Sequence, residues 1–245
     1  MKINTMNLLV ALSLLMLACK KDKGGDMNKP ATDMVKGKVL TSDGRPVSGA
    51  RIIISSVIWY NENTVATTGA EGTYSKKLAG LGSDAFYAYA SIQKDYNGKR
   101  YTMDLHPEST DDFFPADGAV RNFIWKLTGP QVGRSTGIYG GQVTVASEPG
   151  AFYDFTNVTL TMVPQGALID GSNGSTITMK VPNSQKLEVP IGRYLISAVY
   201  APAGQGQKTM KIRLSDTGSY NNSVLVDFSP STDFCKNCLT LDVKE

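Results

Sequence analysis

The sequence has very little histidine, cysteine and tryptophan. One His, three Cys and two Trp occur among 245 residues. A catalytic triad that requires His, or a metal centre with several His ligands, would have to be built around His106 alone. This scarcity argues against both kinds of site, and we expect neither a cofactor nor a bound metal.

The sequence also has little net charge. Its 25 Lys and Arg residues against 22 Asp and Glu give a formal charge of +3, and no dense basic run follows the N-terminal segment. Nucleic-acid-binding proteins usually carry a basic patch or stripe that neutralises phosphates. We therefore expect no nucleic-acid partner.

A single long apolar run is present, close to the N-terminus. Lys2 precedes an apolar stretch at residues 8–18, which is too short to cross a bilayer and has the basic-then-apolar order of a secretory signal. Residues 1–18 are therefore predicted to be a signal peptide.

The end of this run has a motif of its own. Met16-Leu17-Ala18-Cys19 resembles the lipobox of bacterial lipoproteins. The resemblance implies cleavage before Cys19, acylation of Cys19 and a location in the cell envelope, lipid-anchored to the outer membrane. The alternative is an ordinary signal peptide with a Cys near the cut. Residues 19–34 are polar and lack periodicity, so they are predicted to be a lipidated, flexible tether.

Alternating apolar and polar residues dominate the chain from Val35 onward, with no sustained helical period. This pattern predicts an all-β protein made of two antiparallel β-sandwich domains in tandem. The clearest apolar runs are Val158, Leu160 and Met162; Met210, Ile212 and Leu214; and Leu239, Leu241 and Val243. Trp59 and Trp125 fall within strand patterns and are predicted to be core residues.

A boundary is visible near the middle of the chain. Residues 128–134 combine a Gly-Pro pair with polar residues between two strand patterns. We therefore predict one domain at residues 35–128 and a second at residues 135–245, each of ordinary domain size.

The first predicted domain carries a family resemblance. Ser-Asp-Gly-Arg-Pro at residues 42–46, Gly-Thr-Tyr at residues 72–74 and the closing strand at residues 122–127 resemble carboxypeptidase regulatory-like domains. The resemblance implies a transthyretin-like, seven-stranded sandwich. It is interrupted by a long, insertion-like stretch at residues 84–114. The motif marks turns of a scaffold and implies little about function.

Two cysteines lie close together near the C-terminus. Cys235 and Cys238 belong to an exported chain, so they are predicted to form a structural disulfide at the start of the last strand. A reduced pair, a redox motif or a metal site are the alternatives. Zinc is disfavoured because these thiols and His106 supply at most three ligands.

Two polar segments each have a structural and a functional interpretation. His106 precedes Asp111 and Asp112, which could orient it as a base, but no marked nucleophile accompanies it, and a surface-loop histidine is the favoured interpretation. The loop that begins at Asp170 has some of the spacing of a calcium loop but lacks its closing carboxylate. It is predicted to be a hairpin loop.

The aromatic residues give the one positive indication of a ligand. The core face of residues 86–92 leaves Tyr87 and Tyr89 on the opposite face, coplanar and about 7 Å apart, because residues rise about 3.3 Å each along a strand. Tyr96 and Tyr101 follow around a predicted turn. Exposed tyrosines beside polar groups suit the apolar faces of sugars. The slightly favoured interpretation of these four tyrosines is nevertheless that they cover an interface between the two domains.

These features leave three classes of function open. The favoured interpretation is a non-catalytic envelope lipoprotein that acts as a binding or accessory module, with a glycan as ligand and an envelope protein complex as a further partner. The second is a purely structural or assembly lipoprotein without a small ligand. The third is a carboxylate-dependent hydrolase, which requires a carboxylate pair whose separation a sequence does not give.

Overall fold

The fold is known from a computed structural model that describes residues 28–78, 80–231 and 235–245. Cys19, the predicted signal and most of the predicted tether lie outside these residues. Strands and loops make up the described chain, with one short 3-10 turn at Phe155–Asn157, so the all-β prediction is confirmed. The described part of the chain holds no helix with the length and hydrophobicity needed to span a membrane.

The first nine strands form two sheets that face each other as the first sandwich. One sheet has the order β4-β1-β9-β7, with β8 beside β1, and the other has the order β3-β2-β5-β6. The strands are β1 (Met34–Thr41), β2 (Arg51–Ser56), β3 (Asn63–Thr67), β4 (Thr73–Lys77), β5 (Phe86–Tyr96), β6 (Lys99–Asp104), β7 (His106–Pro107), β8 (Ala119–Val120) and β9 (Phe123–Trp125).

The remaining strands form the second sandwich from one continuous sheet. Its order is β12-β11-β14-β15-β18-β10-β13, with β16 beside β14 and β17 beside β18. The strands are β10 (Gly141–Ser147), β11 (Val158–Pro164), β12 (Ile177–Lys180), β13 (Lys186–Val189), β14 (Arg193–Tyr200), β15 (Lys208–Leu214), β16 (Val224–Asp227), β17 (Ser229–Ser231) and β18 (Lys236–Lys244). β15 pairs first with β14 and then with β18, so it passes from one layer to the other.

Most strand pairs are antiparallel, as predicted, but three are parallel. β1 pairs in parallel with β8 and β9, and β10 pairs in parallel with β18. In both sandwiches the first strand thus lies beside the last. Alternation along a strand assigns its faces and says nothing about the direction of its neighbour, so the sequence could not predict these pairs.

The alternating residues form the core, with one exception. Val158, Leu160 and Met162 are fully buried, and Trp125 is 3% exposed. Trp59, in contrast, is 59% exposed, so its predicted core position is wrong. The reason is that β2 ends at Ser56 and residues 57–62 leave the sheet as a loop.

The turn before β4 shows why the Gly-x-Tyr motif stands there. Gly72 has a positive φ of 67°, and a Cβ at this position would lie 2.6 Å from the carbonyl oxygen of Val39. Tyr74 is buried and donates its hydroxyl to the carbonyl oxygen of Arg121 at 2.6 Å. Burial raises the pKa of this phenol well above its usual value. The motif therefore holds β4 against the segment that connects β8 to β9.

A long hairpin joins the two sandwiches. β5 and β6 extend past the first sandwich, and Asn97 at the turn donates to Asp227 Oδ1 at 2.7 Å. The hydroxyl of Tyr96 donates to the carbonyl oxygen of Ala167 at 2.8 Å and accepts the Arg193 N–H at 3.0 Å. Residues 84–114, which the sequence marked as an insertion-like stretch, thus supply both a central strand of the first sandwich and several contacts with the second.

Candidate binding surface

Two tyrosines stand on the outer face of β5. Tyr87 is 39% exposed and Tyr89 is 46% exposed, whereas Phe86 and Ala90 point into the core. The predicted division of faces is therefore confirmed. The ring centroids are 5.8 Å apart with an interplanar angle of 22°. The ring centroids are thus closer than the spacing predicted from strand rise, because the two rings lean together into a stack. We call this pair the tyrosine platform.

Neighbouring strands extend the platform sideways. Ser55 of β2 lies opposite Tyr87, and Ile53 lies opposite Tyr89. On β3, Asn63 lies opposite Ser55. Directly paired residues share one face of a sheet, so the outer face has a polar strip beside Tyr87 and an apolar strip beside Tyr89.

A loop borders the platform on the β2 side. Trp59 and Tyr60 of the loop, together with Ser55, Asn63 and both platform tyrosines, line a hollow of about 400 Å³. The loop is held by two contacts. Ser56 Oγ accepts the Trp59 N–H at 3.0 Å, and Trp59 Nε1 donates to Asp84 Oδ2 at 2.6 Å. The exposed indole is therefore held in a defined position.

A second hollow lies on the other side of the platform, next to the linker between the sandwiches. Its volume is about 440 Å³, and its polar lining includes Asp104, Gln131 and Arg134 beside the two tyrosines. Gln131 Nε2 donates to Asp104 Oδ2 at 3.2 Å, and Lys236 forms an ion pair with the same carboxylate at 3.3 Å. The tyrosine platform thus stands between two hollows that both carry hydrogen-bonding groups.

Tyr96 and Tyr101 do not belong to this surface. Tyr101 is fully buried, and its hydroxyl donates to the carbonyl oxygen of Phe228 in the second sandwich at 2.7 Å. Burial, with the nearby Asp227 carboxylate, raises the pKa of Tyr101 to about 12. Tyr96 makes the contacts to Ala167 and Arg193 described above. These two of the four tyrosines cover the interface between the sandwiches and are not available to a ligand.

His106 lies against another aromatic residue. Its ring meets Tyr139 edge to face at 5.6 Å, and Nδ1 is 3.1 Å from the Tyr139 hydroxyl. Burial and the charge of Lys126 lower the pKa of His106. Asp111 instead accepts a hydrogen bond from Ser109 Oγ at 2.9 Å. His106 is therefore engaged with Tyr139 and is not oriented by this carboxylate.

The remaining polar candidates have structural roles. Cys235 and Cys238 are joined by a disulfide with a Cα–Cα distance of 5.9 Å at the start of β18, which confirms the predicted pair. Asp170 Oδ1 accepts the N–H of Ser172 at 2.9 Å in a tight loop, and Arg45 approaches Asp170 Oδ2 at 3.6 Å. Within residues 28–78, 80–231 and 235–245, no group of three or more His, Cys, Asp or Glu side chains could hold a metal ion.

A larger cavity lies elsewhere, beside the disulfide. It has a volume of about 700 Å³ and is lined by Lys99, Lys186, Asp216 and both disulfide cysteines. Lys99 already donates to the carbonyl oxygen of Phe228 at 3.0 Å. Among the residues that the structure describes, none of those lining this cavity is aromatic.

Sequence reasoning missed the borders of the platform. Trp59 and Tyr60 had a usable signal, because the polar residues 61–63 directly after them favour a loop rather than a continuing strand. Gln131 and Arg134 had no such signal, because their position beside Tyr89 depends on how the linker folds back between the sandwiches.

Comparison with known proteins gives little guidance. No family model matches the chain, and no curated protein matches it significantly. Among solved structures, the Bacillus anthracis TIE protein is similar with 11% identity and a TM-score of 0.33, over 86% of this chain and 33% of that chain. A streptococcal ancillary pilin has 12% identity and a TM-score of 0.26, over 87% of this chain and 62% of its own.

A third similar structure is the C-terminal fragment of the pilus adhesin SpaC from Lactobacillus rhamnosus GG. It has 12% identity and a TM-score of 0.26, over 86% of this chain and 96% of that chain. This chain spans less than two thirds of the length of the TIE protein and of the streptococcal pilin. Similarities at this level carry no argument about fold or function.

Proposed function

We propose that this protein is a lipid-anchored cell-envelope protein that binds a glycan, without catalysis, on the tyrosine platform. One observation carries the proposal. Tyr87 and Tyr89 keep 39% and 46% of their surface exposed at the centre of a sheet face, between two hollows. Tyr101 shows the contrasting case: a tyrosine that serves the interface between the sandwiches is buried there.

The chemistry of the platform suits a sugar. The apolar faces of pyranose rings pack on aromatic rings, and their hydroxyl groups need hydrogen-bond donors and acceptors around them. Ser55 and Asn63 supply such groups on one side of the stack, and Asp104 and Gln131 supply them on the other. An extended oligosaccharide could therefore lie across the stack with its ends in the two hollows.

The anchor is the second part of the proposal. The lipobox resemblance at Cys19 supports acylation, and two or three acyl chains hold a protein on a membrane far more firmly than one, at about 0.8 kcal/mol per buried methylene. The carboxypeptidase regulatory-like identity proposed for the first sandwich fits its two facing sheets and the turn at Gly72. An outer-membrane location follows from the anchor and is proposed with it.

The absence of catalysis is supported by the residues that could have provided it. His106 contacts Tyr139, and the disulfide removes the two cysteines as nucleophiles. A structural or assembly lipoprotein without a small ligand is the competing proposal. The contacts of Tyr96 and Tyr101 favour this competing proposal, because these two of the four predicted tyrosines serve the interface between the sandwiches.

The test is a panel of oligosaccharides titrated into the full chain by calorimetry. We expect modest affinity that is nearly independent of salt, because stacking on neutral sugars releases few counterions. Replacing either ring, by Tyr87→Ala or Tyr89→Ala, should weaken binding by about 1 kcal/mol or more, as truncated aromatic anchors commonly do.

Phe152→Ala is the matched control, because Phe152 is 96% exposed and belongs to the second sandwich. It should leave the affinity unchanged. Binding that survives in both tyrosine variants, or no binding to any glycan in the panel, would favour the structural lipoprotein.

A further inference from the structure

One end of the first sandwich points away from the second sandwich. The opposite end carries Asn97, which contacts Asp227. At the end that points away, β1 begins with Met34, which pairs with Lys77 at the end of β4. β2 ends there with Ser56, which pairs with the first residue of β5. The chain therefore enters the first sandwich at the end farthest from the second.

Contacts link the N-terminal residues to the loop after β2 at this end. The N–H of Leu78 donates to the carbonyl oxygen of Asp33 at 2.8 Å. The segment that follows Leu78 reaches the loop, because the Gly82 N–H donates to Glu62 Oε1 at 3.2 Å and Asp84 accepts from Trp59. The loop and the point of chain entrance thus belong to one connected surface.

This end carries large apolar side chains in water. A nearby loop brings Phe114 to the same end. Gly118, which ends this loop, has a positive φ and lies directly against the backbone of Ala31, so residues 114–118 pack against the N-terminal chain. We call the exposed set the apolar tip; it consists of Val57 at 48% exposure, Ile58 at 65%, Trp59 at 59%, Tyr60 at 93% and Phe114 at 52%. A concentration of this kind usually marks a surface that is covered in function.

We propose that the apolar tip inserts into the headgroup region of the membrane to which the chain is anchored. Eight residues lie between Cys19 and Asn28, so the two are at most about 30 Å apart even in a fully extended chain. With Cys19 acylated, the apolar tip is the part of the body that the anchor holds nearest to the bilayer. This inference rests on the anchoring part of the proposed function.

The composition of the tip favours a lipid surface over a sugar or a protein groove. Trp and Tyr concentrate at membrane interfaces because their rings are apolar and their N–H and O–H groups remain hydrated. Val57 and Ile58 are branched aliphatic residues, which add hydrophobic area but give no flat surface for a pyranose.

Insertion of the tip would orient the whole molecule. A lipidated Cys19 alone attaches the chain at one point, whereas a second point of contact would hold the body with the second sandwich away from the membrane. The tyrosine platform would then lie close to the bilayer, with the hollow lined by Trp59 and Tyr60 on its membrane side.

Trp59 makes the proposal directly measurable. The chain has two tryptophans, and Trp125 is buried at 3% exposure. The full chain, with its lipid, is incorporated into phosphatidylcholine vesicles whose acyl chains carry bromine, and tryptophan emission is compared with that in unbrominated vesicles. We expect the Trp59 contribution to fall about two-fold or more, because bromine quenches rings located in the interface.

Two variants provide matched controls. Trp59→Phe retains only Trp125 and should lose the bromine-dependent quenching. In that background, Phe152→Trp places an exposed tryptophan on the second sandwich, and it should stay unquenched.

Each alternative outcome overturns the proposal in a recognisable way. Protein that floats with the vesicles while Trp59 remains unquenched overturns the tip but leaves the anchor intact. Protein that does not float, with no acyl mass on Cys19, overturns both. A Trp59 emission shift on adding an oligosaccharide, without quenching by brominated lipid, assigns the loop to the glycan site instead.

Discussion

At the scale of single residues, the fold depends on positions where no side chain can be added. Gly72 combines a positive φ with a close approach to the backbone of Val39 and Val47. Gly44 also has a positive φ, of 86°, but nothing lies within 4 Å of its Cβ position. The two glycines separate the cost of a left-handed backbone from the cost of a steric clash.

Gly72→Ala should therefore destabilise the first sandwich more than Gly44→Ala. A left-handed conformation alone costs about 1–2 kcal/mol for a residue with a Cβ. The additional clash at Gly72 is with backbone atoms, which cannot rotate away, so we expect a loss of more than about 2 kcal/mol there. Urea unfolding of both variants measures the difference, and equal losses would show that the turn adjusts to the added methyl group.

At the scale of elements, the β5–β6 hairpin has two functions. Its outer face carries the tyrosine platform, and its far end fixes the second sandwich through Tyr96, Asn97 and Tyr101. The surface between the two hollows therefore depends on how firmly this hairpin is held.

Tyr101→Phe isolates one of the hairpin contacts. It removes the hydroxyl that donates to Phe228 and keeps the buried ring. Lys99 also donates to this carbonyl oxygen, so the acceptor keeps one partner and the expected loss of stability is about 1 kcal/mol. Tyr87→Phe, which removes an exposed hydroxyl, is the control and should cost close to nothing. If Tyr101→Phe also costs close to no stability, the interface does not depend on the hydrogen bond from Tyr101 to Phe228.

The strands show what alternation can and cannot predict. It correctly placed Tyr87 and Tyr89 opposite the core face of β5, because successive side chains point to opposite sides of a sheet. It could not place Tyr101, because the face of a residue on β6 depends on how β6 pairs with β5: Tyr101 lies opposite Lys94, on the same side as Ile92 and Met103. The parallel pairing of β10 with β18 could not be predicted either, because it depends on contacts between residues that are distant in sequence.

At the scale of the whole molecule, the relation between the two sandwiches depends on charge. Asp227 accepts hydrogen bonds from Arg193 of its own sandwich and from Asn97 of the other. Burial raises the pKa of Asp227, but these hydrogen bonds outweigh it, so the pKa is lowered overall. The folded state therefore favours the charged carboxylate.

This shift predicts how stability responds to acid. A carboxyl group with a lowered pKa contributes stability above its unfolded pKa near 3.9, and the contribution is lost as the pH falls through the folded value. Asp227→Asn should therefore flatten the acid limb of the free energy of unfolding, measured in urea between about pH 5 and pH 2. Asp95→Asn is the control, because the Asp95–Arg100 pair is 67% exposed on both sides and should contribute little. If the acid limb of Asp227→Asn is the same as in the unsubstituted protein, the contacts of Asp227 with Arg193 and Asn97 are not pH-sensitive.

The position of a bound glycan tests the central claim most directly. Hydroxyl-radical footprinting of the full chain, with and without an oligosaccharide that binds in the calorimetric panel, reports protection residue by residue. The account predicts that Tyr87 and Tyr89 become protected while Phe152 continues to react. Protection confined to the cavity beside the disulfide, lined by Lys186 and Asp216, or unchanged reactivity at both platform tyrosines, would contradict it.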